Sequence, residues 1–183
     1  MPALGPVPWG PQGPAPLLSE EFDAFCKAMA GNAWRDDHAA DARAAWKLWF
    51  ELMDDCRLDE IGRKPWEFRE RLSRLPKLHG KSVFKGLTAP TAITRADAIE
   101  RGKFDPSKIS AVLKLGAKVE RLSKKDQNKH GDFFIALFNW PPVAKLGYGN
   151  PFTGTLHKKR EIKRDGRRTR TNLTDEDQAK HCG

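Results

Sequence analysis

At 183 residues the chain has room for one ordinary domain with tails, and two full domains would be a squeeze. Six Trp and ten Phe supply large core side chains, while a single Tyr and scarce β-branched runs argue against a sheet protein and for a helical one. The net charge of +9 favours polyanionic partners through long-range attraction.

Cys26, Cys56 and Cys182 are odd in number and widely spread, which makes neither a disulfide framework nor a zinc spacing. The chain does not open on a charged region followed by a continuous apolar core. No apolar run nears the roughly 18 residues of a membrane span, so a reduced, cytoplasmic setting is expected.

Residues 1–16, MPALGPVPWGPQGPAP, are rich in Pro and Gly, which obstruct helix and sheet hydrogen bonding, and they predict a disordered leader. A helical domain is expected over residues 17–152. Ser19 can cap a short helix ending near Gly31, with Glu20 and Glu21 in its first turn and Phe22, Phe25, Cys26 and Met29 as its apolar stripe. A longer helix from about Asp37 to Asp55 carries Ala42, Trp46, Trp49 and Met53 on one face, widened by Ala45, Leu48 and Leu52. Its three large aromatics, Trp46, Trp49 and Phe50, mark it as the expected centre of the core.

Pro65 suits a first helical position, and Phe68, Leu72 and Leu75 form the buried face of the helix that follows. Arg69, Arg71 and Arg74, with Arg63, Lys64, Glu67 and Glu70, make its other face, which reads equally as a solvated mixed-charge surface or as a DNA contact. Residues 76–90 are a loop by composition, and a modest helix is expected around Thr91 to Arg101. Asp105-Pro106 then looks like a cap and first position, with Ile109, Val112 and Leu113 as a buried face. The pattern leaves open whether residues 106–122 form one helix or two.

The stretch Leu122 to Pro151 holds a helix start, an apolar face and a stop. Ser123 to Asp126 is an S-x-x-D capping pattern, and Phe134, Leu137 and Phe138 fit i, i+3, i+4 spacing with Phe133 and Trp140 beside them. Pro141 and Pro142 end or kink the helix. Lys124, Lys125, Asn128 and Lys129 gather positive charge and an amide where the helix dipole is also positive, an end suited to phosphate. Residues 153–183 read as a basic linker: His157 to Arg170 carries eight positive charges against Glu161 and Asp165. Such density without apolar periodicity is hard to pack and easy to lay along a phosphate backbone.

Four segments, in order, resemble the N-terminal, SAM-like core-binding domain of tyrosine recombinases, the phage-type site-specific integrases. They are AWKLWFELMDD (Ala45 to Asp55), LDEIGRKPWEFRERLSRLP (Leu58 to Pro76), the stretch from Leu122 to Pro151, and RTNLTDEDQAK (Arg170 to Lys180), which looks like the entry to the catalytic domain. The resemblance implies an all-α, orthogonal helical bundle that grips double-stranded DNA with helices facing the major groove. Carried over by position, the contacts would be Arg69, Lys124, Lys125, Asn128 and Lys129. Asn128 has the chemistry to read adenine, and the lysines suit phosphate. Linker residues Lys158, Lys159, Arg160, Lys163, Arg164, Arg167 and Arg168 would add sequence-independent affinity.

The family continues its last helix past the tryptophan, where this chain has Pro141-Pro142. The family's catalytic Arg, Lys, His and Tyr set belongs to a domain that would follow residue 180, and Tyr148 sits in a turn rather than at a nucleophile position. The resemblance therefore implies binding without cleavage, with no metal, cofactor or small-molecule substrate, and with an intact recombinase as a second partner. The scattered His38, His79, His130, His157 and His181 form no ligand spacing. The competing expectation is a helical module whose basic tail binds an acidic protein or RNA.

Overall fold

The computed structural model describes residues 14–30, 34–105 and 116–165. They form helices α1 (Leu18–Ala30), α2 (Asp36–Met53), α3 (Lys64–Arg74), α4 (Ala89–Glu100), α5 (Lys124–Asn139) and α6 (Pro141–Ala144). Residues 159–165 are also helical and are called α7 here. No strand occurs among the described residues, only the isolated bridges Leu17–Arg57 and Pro76–Arg121. The expectations for Gly31, Ile109, Val112, Leu113, Arg167, Arg168 and Cys182 lie outside these residues.

Helix α2 is the hub, packed against α1, α3, α4 and α5. Ala42 and Ala45 are fully buried on its inner face, and their small side chains let neighbouring helices come close around Trp49. The Trp49 ring lies 5.1 Å from Phe68 of α3, 5.1 Å from Phe134 of α5 and 5.5 Å from Phe152. Phe134 and Phe152 stack at 4.9 Å. Truncating a ring in such a cluster costs about 3–5 kcal/mol.

Trp46 and Phe50 depart from the expected core. Trp46 is half-buried and stacks on Phe22 at 5.3 Å, and Phe50 is 53% exposed. The cause is helical geometry: position 50 lies about 100° round the helix from Trp49, past the edge of the packed face.

Helix α1 starts at Leu18, before the expected cap, and Ser19 does not cap it. Instead the Leu17 amide donates to the Glu20 carboxylate at 3.2 Å, while the Ser19 hydroxyl donates to Asp55. The end of the leader is also held. Ala15 is buried, its carbonyl accepts from Arg57 Nη1 at 2.6 Å, and the Pro16 carbonyl accepts from the Leu58 amide at 3.0 Å.

Helix α5 follows its capping pattern. The Asp126 amide donates to Ser123 Oγ at 3.2 Å, and Phe133, Phe134, Leu137 and Phe138 are buried. Trp140 is extended (ψ 130°), as a residue before proline prefers, and Pro141 then opens α6 at its first turn. The two prolines thus end one helix and start the next. Packing continues past residue 152, where the linker was expected to begin, since Phe152 and Thr155 are both buried.

Candidate nucleic-acid interface

The segment Thr155–His157 crosses α5 at Gly131, where an added Cβ would come within 2.6 Å of Leu156 Cδ2. Glycine at this point lets the crossing chain approach closely, which offsets its weak helix propensity. Asn128 grips the crossing with both ends of its amide: Oδ1 accepts from the His157 amide at 2.8 Å and Nδ2 donates to the His157 carbonyl at 2.9 Å. His157 Nε2 lies 2.9 Å from Gln127 Oε1. Gln127 Nε2 already donates to the Leu122 carbonyl, so Oε1 is the acceptor and the imidazole carries its proton on Nε2. Burial, then the positive charges of Arg69 and Lys124, hold the His157 pKa below its ordinary value.

Beyond this crossing, α7 lies against the start of α5. The Lys124 amide donates to Asp165 Oδ2 at 3.2 Å, and the Lys158 amide donates to Glu161 Oε2 at 2.7 Å. That second bond holds the Glu161 carboxyl below its usual range. An intramolecular carboxylate therefore stands at the α5 N-terminus, where the sequence suggested a phosphate. The expected unstructured linker begins instead as a helix with Lys158, Lys159, Arg160, Lys163 and Arg164 exposed.

The other expected contacts divide sharply. Lys125 is exposed beside half-buried Lys124. Lys129 pairs with Asp41 of α2 at 2.7 Å. Asn128 is a strut, because the amide edge expected to read adenine is already bonded to His157. Arg69 is half-buried, donates Nη1 to the Thr155 carbonyl at 2.7 Å and lies 4.8 Å over the Trp66 ring. Its neighbours on α3 are also engaged: Arg71 bonds the Leu52 carbonyl, and Arg74 pairs with Asp97 at 2.7 Å.

Asp97 accepts from Arg121 as well, at 2.9 Å. Burial alone would raise its carboxyl, but the two arginines outweigh that and hold it below the usual range. This network ties α3 and α4 to the Pro76–Arg121 bridge.

Sequence reasoning missed Gln127, His157 and Asp165. Lys158, unlike Ser, Thr, Asp or Asn, is no capping residue and gave no sign of the helix start that Glu161 closes, and the partners of His157 and Asp165 on α5 are 29 and 41 residues away. Cys26 and Cys56 are free thiols whose pKa burial raises, Cys26 to about 11, so neither is an activated nucleophile. Among the described residues no cluster of His, Cys, Asp or Glu could hold a metal ion, and no helix is long and apolar enough to cross a membrane. Comparison with protein-family models, with curated proteins and with solved structures finds no match.

Proposed function

We propose that the chain is a duplex-DNA-binding helical domain of the tyrosine recombinase type, an orthogonal SAM-like bundle that binds DNA without cutting it. One observation carries the reading: α7 is clipped to the start of α5, so Lys125 joins Lys158, Lys159, Arg160, Lys163 and Arg164 in one set of exposed cations, with Lys124 beside them. A set of side chains held in register suits a regular array of phosphates better than a loose tail does, because less side-chain and backbone freedom is lost on binding. In an intact family member such a domain serves recombination and integration, and this chain would compete with that enzyme for its DNA.

Contact of about 6 phosphates gives a log–log salt slope of roughly −5, and sequence-independent affinity on the order of micromolar or weaker. The test is binding to labelled duplex across a salt series with two variants. Lys124→Ala with Lys125→Ala reduces the slope by roughly 2, and alanine at Lys159, Arg160, Lys163 and Arg164 reduces it by roughly 4. A flat wild-type slope overturns the reading.

The concentration of exposed cations on α7 favours one other reading, a module that presents this helix to an acidic protein or RNA. Under it the α7 variant loses all binding, the α5 variant loses none, and RNA outcompetes duplex DNA.

A further inference from the structure

On the side of the bundle where α1, the start of α2 and α5 meet, an open groove of about 420 Å³ is walled by Phe25, Trp34, His38, Phe133 and Trp140, with Asp132 on its rim. Phe25 and Phe133 are buried core rings that form the floor, and the half-buried Trp34 and Trp140 pack against them and reach the surface. Trp34 meets Phe25 edge-on at 5.2 Å and Phe133 at 5.8 Å, His38 lies 5.0 Å from both Trp34 and Phe133, and Phe25 lies 5.7 Å from Trp140.

The charges around the groove run against the rest of the molecule. The Asp132 carboxyl makes no hydrogen bond or ion pair with any described residue, and partial burial raises its pKa. Lys129, the cation on the rim, is neutralised by Asp41. An adjoining depression, which shares Trp34 and His38, adds Asp37 and Asp41 against Arg35. Three carboxylates thus face two cations here, on a chain whose net charge is +9. Aromatic faces attract a cation through the ring quadrupole, and a planar guanidinium can stack on them while its N–H groups meet a carboxylate.

We infer that this groove is a docking site for an arginine side chain presented by a peptide segment of a partner protein, with the guanidinium between the Trp34 and Trp140 walls and its N–H groups on Asp132. The site is separate from the basic α5–α7 surface and does not depend on the DNA reading. It draws on opposite chemistry, a carboxylate and π faces rather than ammonium and guanidinium groups.

The experiment titrates the full chain with a blocked pentapeptide carrying a central arginine, and with its citrulline counterpart, following the indole N–H signals by NMR. Expected are saturable shifts at Trp34 and Trp140 with Trp66 unmoved, and at least tenfold weaker binding of the uncharged citrulline peptide. Asp132→Asn, a change at an exposed rim position that leaves the fold intact, weakens the arginine peptide about tenfold. Absence of a saturable shift at millimolar peptide, equal binding of the two peptides, or an unchanged affinity in Asp132→Asn each overturns the proposal. Trp34 and Trp140 signals that move with protein concentration alone overturn it too, because the occupant is then a second copy of this chain.

Discussion

Helix α3 and helix α7 are both rich in cations, and in the amino-acid sequence the first reads equally as a solvated face or a DNA contact, while the second falls in a basic linker that favours nucleic acid. In the folded chain they differ. Arg69, Arg71 and Arg74 reach the Thr155 carbonyl, the Leu52 carbonyl and the Asp97 carboxylate, so the α3 arginines tie neighbouring segments together. The cations of α7 are exposed to solvent, while Glu161 caps the helix's own start at the Lys158 amide and Asp165 ties the helix to the start of α5. Positive charge stays open to a partner only where no carbonyl or carboxylate of the same chain lies within reach.

The contrast is most open to attack at Arg69. Arg69→Ala removes a charge-assisted hydrogen bond from a half-buried site and the stacking on Trp66, and should lower unfolding free energy by about 2 kcal/mol. Urea denaturation should show a lower midpoint at unchanged m-value, while the DNA salt slope stays within about 1 of wild type. A variant of normal stability with a clearly shallower slope would make Arg69 a phosphate contact and erase the distinction between the helices.

A pH series sharpens the α7 side. The folded-state pKa values of His157 and His130 are both depressed, chiefly by burial. The unfolded chain therefore takes up protons first, and the stability held above the ordinary histidine range is lost as pH falls through it. Urea midpoints should drop between pH 7 and pH 5, and His157→Gln should flatten part of that drop. An unchanged pH profile in that variant would mean that the imidazole does not help fasten α7 to α5.

The smallest effect is expected at Lys129. Its pair with Asp41 is solvent-exposed, so Lys129→Ala should change stability by less than about 1 kcal/mol. The DNA salt slope should not move, since this cation is already engaged. A loss of slope equal to that of the Lys124 and Lys125 variant would return Lys129 to the DNA surface.

Local signals carried much of the fold. Ser123 with Asp126 marked the start of α5, Pro141 its end, Pro65 the start of α3, and the 3.6-residue spacing of Trp49, Leu52 and Met53 the inner face of α2. Each acts within one or two turns, where composition and backbone geometry are decisive. Phe50 escaped because an aromatic at the edge of an apolar stripe has the same spacing signal as one inside it. The intramolecular partner of the α5 N-terminus was not legible for another reason: the carboxylate that meets the Lys124 amide comes from Asp165.

The amino-acid sequence by itself determined an all-α chain, most of its helix limits and a strong excess of positive charge. Tertiary structure decided which of those charges are available. Asn128 became a strut, Lys129 an ion pair and Arg69 a tie, while α7 kept its cations in solvent. The aromatic groove likewise exists only when α1, α2 and α5 meet. Hydrogen bonds and ring contacts between residues tens of positions apart depend on how helices pack, and helical periodicity encodes the face a residue occupies but not the partner that face will meet.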